Sequence, residues 1–272
     1  MALDVQGDFL VGRNLTVNGL ATASTQTAGD NSTTLATTAF VNTAISAGGS
    51  STMLNGSHGF FDTGINNVVV GTPSSSGTTL FTAPSTSTVR YIVHSVQVSN
   101  TTLGSMNFTA SQVISGGSTV YWAYNLPIPG TSAVEILKRP KVMNPNDLLN
   151  AISSTSGALS VTVTYSTITT TSLVGSGINA TSTMASLVTA GGNGAVFDSI
   201  LVVNSGSVTD GVSVIITDGS NNVQSYLSYL LPIPVGSTIE LLESPKMLTN
   251  GWKLQATSSN SSSSIVAASR NR

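Results

Sequence analysis

Side chains able to do acid–base or nucleophilic chemistry are sparse: 272 residues hold eleven Asp or Glu, two His and no Cys. Hydrolysis of a glycosidic bond needs two carboxylates held at a defined separation. The acidic residues here are scattered, and the two that recur in matching surroundings, Glu135 and Glu240, fall in different halves of the chain. A Ser-His-Asp arrangement would have abundant serine. However, His94 stands at a strand start where the second half carries Asp198, which reads as an exposed position, and His58 lies in a Gly-rich connector. No His, Asp and Glu group has metal-ligand spacing, and no thiolate is available. We therefore expect no catalytic residue, no metal and no cofactor, and a protein that is not an enzyme. The Lys138-Arg139-Pro140-Lys141 cluster reads as a solvated turn. Glu135 with Lys141, and Glu240 with Lys246, read as salt bridges or as caps on backbone amides. Tyr121, Trp122 and Tyr124 are the aromatic residues close enough in sequence to form a saccharide platform, but Leu227 replaces the tryptophan in the second half.

Composition narrows the classes further. Only 7% of residues are charged, against roughly 25% in ordinary soluble domains. Short hydroxyls replace them, with 43 Ser and 37 Thr. A hydrophobic content of 40% is too high for intrinsic disorder. A net charge of -2 cannot neutralise many phosphates, so nucleic acid is excluded as a partner. No basic segment leads into an apolar core at the start, and nowhere do 18 apolar residues run together, so neither a signal peptide nor membrane insertion is expected. Weak charge repulsion between free monomers argues for life in an assembly.

The elements that position these residues come in two copies. At an offset of 105, Leu126-Pro127-Ile128-Pro129 meets Leu231-Pro232-Ile233-Pro234, and Tyr121, Tyr124, Glu135, Pro140 and Lys141 meet Tyr226, Tyr229, Glu240, Pro245 and Lys246. At an offset of 104, Ser95–Asn100 meets Ser199–Asn204. Short β-branched runs such as Val89–Val93, Val96–Val98, Ser160–Tyr165 and Val212–Ile216 are bounded by Gly, Asn and Ser. Asp210-Gly211 and Asp218-Gly219 are turn dipeptides that place a hairpin near 208–224. The expected fold is mainly β: two tandem antiparallel β-sandwiches, over 62–168 and 171–272, of jelly-roll or immunoglobulin-like architecture. Two prolines around one isoleucine stiffen the chain and remove two amide donors, which suits a sheet edge or a crossing between sheets.

Ahead of them, Leu3, Phe9 and Leu15 recur every six residues, as do Val5, Val11 and Val17, with Gly7 and Gly19 at turns. Strands this short cannot bury those side chains alone, so 1–30 reads as a shaft and connector in which neighbouring chains complete the core; a β-meander edge is the alternative. Within 31–61, Leu35, Thr38, Val41 and Ile45 share one face of a short Thr-rich helix that Gly48-Gly49 ends. That stripe suits a three-helix cluster on a threefold axis, or docking onto the chain's own sandwiches. These ten apolar-face residues are the expected trimerisation positions.

Residues Gly29-Asp30-Asn31-Ser32-Thr33-Thr34-Leu35-Ala36-Thr37-Thr38-Ala39-Phe40-Val41 closely resemble a segment that recurs in bacteriophage tail fibre proteins, and Asn14–Gly19 is similar to their shaft repeats. The Leu-Pro-Ile-Pro to Pro-Lys pattern also resembles small β-sandwich modules of phage virion proteins. The resemblance implies a homotrimeric virion protein, made in the host cytoplasm and located on the tail. Its N-terminal region would bind other tail or baseplate proteins, and its C-terminal sandwiches would face a bacterial surface glycan or protein. Tyr121, Trp122 and Tyr124 would then be the receptor contact. A capsid decoration or head fibre is the alternative, and a polysaccharide depolymerase the remote one.

Overall fold

The computed structural model describes residues 67–271. The shaft, the connector, the short helix, the ten trimerisation positions and His58 lie outside the described residues. Within them, nine strands form a first sandwich: β1 (Asn67–Gly71), β2 (Thr78–Thr82), β3 (Val89–Asn100), β4 (Met106–Val113), β5 (Thr119–Ile128), β6 (Ala133–Glu135), β7 (Lys141–Met143), β8 (Leu148–Ser153) and β9 (Leu159–Thr169). Nine more form a second: β10 (Leu173–Asn179), β11 (Ala185–Thr189), β12 (Ala195–Asn204), β13 (Asp210–Thr217), β14 (Val223–Ile233), β15 (Thr238–Glu240), β16 (Lys246–Leu248), β17 (Lys253–Ser258) and β18 (Ser263–Asn271).

Pairing in the first sandwich is nested. Strand β4 pairs with β5, β3 with β6 and β7, β2 with β8, and β1 with β9, all antiparallel. This is one long hairpin rolled so that its pairs fall alternately into two sheets, β1-β9-β3-β6 and β2-β8-β4-β5. The result is a jelly roll. The second sandwich has the same order nine strands on, β10-β18-β12-β15 and β11-β17-β13-β14. The choice that sequence left open, jelly roll or immunoglobulin-like, is thereby made.

Local chemistry explains the matching details. Pro127 and Pro232 lie in β5 and β14, each at the open end of a four-stranded sheet, where a missing amide donor breaks no ladder. Asn100 Nδ2 donates to the carbonyls of Gly104 and Ile128, and Asn204 Nδ2 to those of Val208 and Ile233, so the same side chain braces the same loop twice. The hairpin turn sits at Asp218, whose Oδ1 accepts the amides of Ser220 and Asn222; Asp210-Gly211 opens a strand instead.

One strand departs from the repeat. Every residue of β12 is buried, whereas β3 alternates over its second half. An antiparallel strand normally shows one face to water; a strand apolar on both faces is covered on both. Gln97, Ser99 and Thr162 on the outer face of the first sandwich become Leu201, Val203 and Val266 in the second. Those three side chains join the buried cluster of the first sandwich, beside Val120 and Trp122.

Candidate functional site

The most developed polar site is the junction where β5 and β7 of the first sandwich pack on the outer face of β10-β18-β12-β15. Close approach depends on glycine: a Cβ on Gly175 would come within 2.0 Å of the Val142 carbonyl oxygen. Gly175 N donates to Asn144 Oδ1 (3.1 Å) and Gly175 O accepts from Asn144 Nδ2 (2.6 Å).

At the centre, Lys141 reaches across to the second sandwich. Its Nζ lies 2.7 Å from Glu240 Oε2 and also donates to Ser199 Oγ and the Arg139 carbonyl. Lys141 is fully buried, and Glu240 is 4% exposed. Glu240 Oε1 accepts the Ile200 amide at 2.7 Å, and Oε2 accepts Ser199 Oγ at 2.8 Å. Burial pushes the Lys141 ammonium below its ordinary pKa, with Glu240 opposing that shift and Arg139 adding to it. Arg139 donates to the carbonyls of Asp198 and Glu243. Asp198 is buried, which raises its carboxyl pKa against the pull of Arg270 and Arg139.

These contacts correct three readings. The Lys138–Lys141 segment is no solvated turn, because Lys141 and Arg139 knit the junction. Lys141 pairs with Glu240, not with Glu135, and Lys246 does not pair with Glu240. The position of His94 and Asp198 is not an exposed strand start but a β-bulge, half-buried in the first copy and buried in the second. Glu135 does cap amides: it accepts Val96 N at 2.8 Å and Leu137 N at 3.1 Å. A sequence signal for the junction existed in β12, whose continuous Ile200-Leu201-Val202-Val203 run contrasts with Val96-Gln97-Val98-Ser99.

The aromatic trio is split. Trp122 is fully buried, because it faces inward from β5 into the cluster that the second sandwich covers, so it is removed from the receptor-facing set. Tyr121 and Tyr124 are half-buried and meet edge-on, their rings 4.9 Å apart. Tyr121 also lines a concavity of about 410 Å³ on the outer face of β2-β8-β4-β5, with Thr79, Ser111, Thr119 and Asn150. That lining is uncharged and rich in hydroxyls.

A second polar centre lies at the end of the second sandwich. Asp210 accepts hydrogen bonds from the side chains of Ser258, Ser259, Ser262 and Ser263 and from the amides of Asn260 and Ser262. Burial opposes its ionisation, but these donors outweigh it and hold the carboxyl at about 2. The matching residue in the first sandwich is Met106, so this centre serves one copy only.

The class that fold and site define is a pair of jelly rolls joined through a buried, ion-paired junction. No protein-family model and no curated protein matches the chain. Among solved structures it is similar to a chain in the atomic structure of Sulfolobus turreted icosahedral virus, at 13% identity and a TM-score of 0.24, covering 76% of this chain and 56% of that one. It is also similar to a chain from a study of the triple jelly-roll fold and turret assembly in an archaeal virus, at 13% identity and a TM-score of 0.25, covering 75% and 58%. The chain thus spans little more than half the length of either.

Proposed function

We propose that this chain is a structural protein of a bacteriophage virion, a trimeric tail fibre or fibre-like appendage that holds the particle to its host. The observation that carries the reading is the coupling of two hydroxyl-surfaced jelly rolls through the Lys141–Glu240 junction, in a chain whose sequence also holds the fibre-like segment Gly29–Val41. Jelly rolls build both viral shells and carbohydrate-binding lectins. A rigid pair presents its surfaces in fixed relation, and three chains multiply weak contacts through effective concentration. The concavity beside Tyr121, lined by Ser, Thr and Asn, is the surface suited to a neutral glycan. The role is adhesive rather than catalytic.

Capsid decoration is the second reading, favoured by the jelly-roll strand order of both sandwiches, an architecture that viral shell proteins use. Immunogold labelling of intact particles separates the two: label at the tail supports the first, label over the shell the second. Purified protein in excess should also compete with infection, and failure to do so would refute attachment. Light scattering should report about 83 kDa, three times the 27.6 kDa chain; a monomer would refute the trimer.

A further inference from the structure

The junction inside the chain has two unlike halves, and among the described residues each recurs without its mate. One half is the open strand β5 with Lys141; the other is the outer face of β10-β18-β12-β15 with Glu240 and Ser199. By internal register, Lys246 on β16 stands where Lys141 stands, and Glu135 and Ser95 stand where Glu240 and Ser199 stand. Lys246 is exposed, and its ammonium donates to Ser244 Oγ at 3.2 Å. Glu135 is exposed and accepts Ser95 Oγ at 2.5 Å and the Val96 amide at 2.8 Å. That is the bonding of Glu240 without the cation. The β14 side, the counterpart of β5, is less apolar than β5, because Ser225 and Leu227 stand where Val120 and Trp122 face the internal junction. Val68 and Val70 are 60% and 67% exposed on β1, at the edge of the sheet that carries Glu135.

We propose that a second copy of this chain seats its β14 strand and Lys246 on the outer face of β1-β9-β3-β6, bringing the Lys246 ammonium onto Glu135 and Ser95. Copies then join head to tail through a repetition of the chain's own internal junction. Such a contact is heterologous, closing into a ring or continuing as a filament according to its rotation. It is looser than the internal one. Val68 and Val70 stand where the second sandwich has Gly175 and Gly177, so backbones cannot approach as closely there. Gln97, Ser99 and Thr162 replace the apolar Leu201, Val203 and Val266. The ion pair therefore carries more of this contact, which makes it reversible and salt-sensitive. The inference goes beyond the attachment reading and holds for a tail or a shell component alike.

Because the chain has no cysteine, the contact can be trapped by introduced ones in the 272-residue chain. In the internal junction Arg139 bonds the Glu243 carbonyl; the register equivalents of those two residues are Ser244 and Lys138. An equimolar mixture of S244C chains and K138C chains, which keeps the two cysteines out of one chain, treated with a short bis-maleimide should give covalent species of two chains on a denaturing gel. Adding K246E, or E135K, should cut that yield by more than about tenfold, and E135K/K246E together should return it to within about twofold. Rising salt should lower the yield of the parent mixture without touching the fold. Absence of the cross-link, its survival in the K246E chain or at high salt, or failure of the paired reversal to restore it in a chain with a native circular dichroism spectrum would each overturn the proposal.

Discussion

Replacing Glu240 with alanine tests whether the buried pair holds the two jelly rolls together, and Glu135→Ala is its internal control. Both glutamates accept a backbone amide and a serine hydroxyl from the neighbouring strand. Only Glu240 also neutralises a cation that water cannot reach. Removing it leaves the Lys141 ammonium fully buried with neutral acceptors alone, and breaking a buried pair in this way costs about 3–5 kcal/mol. The orphaned Ile200 amide belongs to the same loss and is not added separately. At the exposed Glu135 site water replaces the lost acceptor, and the cost is about 1 kcal/mol. In a folded unit of this size, 1 kcal/mol moves the melting midpoint by about 2–4 °C, so E240A should melt roughly 10 °C below wild type and E135A only a few degrees below it. Calorimetry on the full chain measures both. Adding K141M to E240A should recover most of the loss, because the unpaired charge leaves with the lysine. Equal melting points for E240A and E135A, or no recovery with K141M, would refute the reasoning.

Three further outcomes follow from the described contacts. Asp210 is held at about 2 from 3.8, so its stabilising contribution is full above pH 3.8 and fades as pH falls towards 2; the melting deficit of D210N should shrink over that window and vanish below it. Leu201→Gln places on the second sandwich the residue that the first carries at Gln97; in a W252F background, which leaves Trp122 as the sole tryptophan, its emission should shift to the red as the junction loosens, at a cost of about 3 kcal/mol. Asn100→Ala and Asn204→Ala should each lower stability by about 1–3 kcal/mol in urea titrations, because each leaves two loop carbonyls without their donor.

The β class and the duplication were legible in the sequence, because each follows from local rules: β-branched runs and offsets of 104 and 105. A missing amide narrowed Pro127 and Pro232 to a sheet edge or a crossing between sheets, and the strand order chose the edge. Which strands share a sheet was not. Strand β1 pairs with β9 about a hundred residues away, and a period of two says that a strand has an apolar face without saying which sheet covers it. The same limit governed the site. Glu135 and Glu240 occur in equal surroundings in sequence, and nothing local gives Lys141 to the more distant one. Trp122 reads as a surface aromatic beside Tyr121 until the second sandwich covers β5. Sequence alone therefore determined what repeats in this protein. Tertiary packing decided what does not: it pressed one jelly roll against the other, turned β12 into a strand buried on both faces, and left Lys246 and Glu135 as the exposed counterparts of a pair that is buried at the junction.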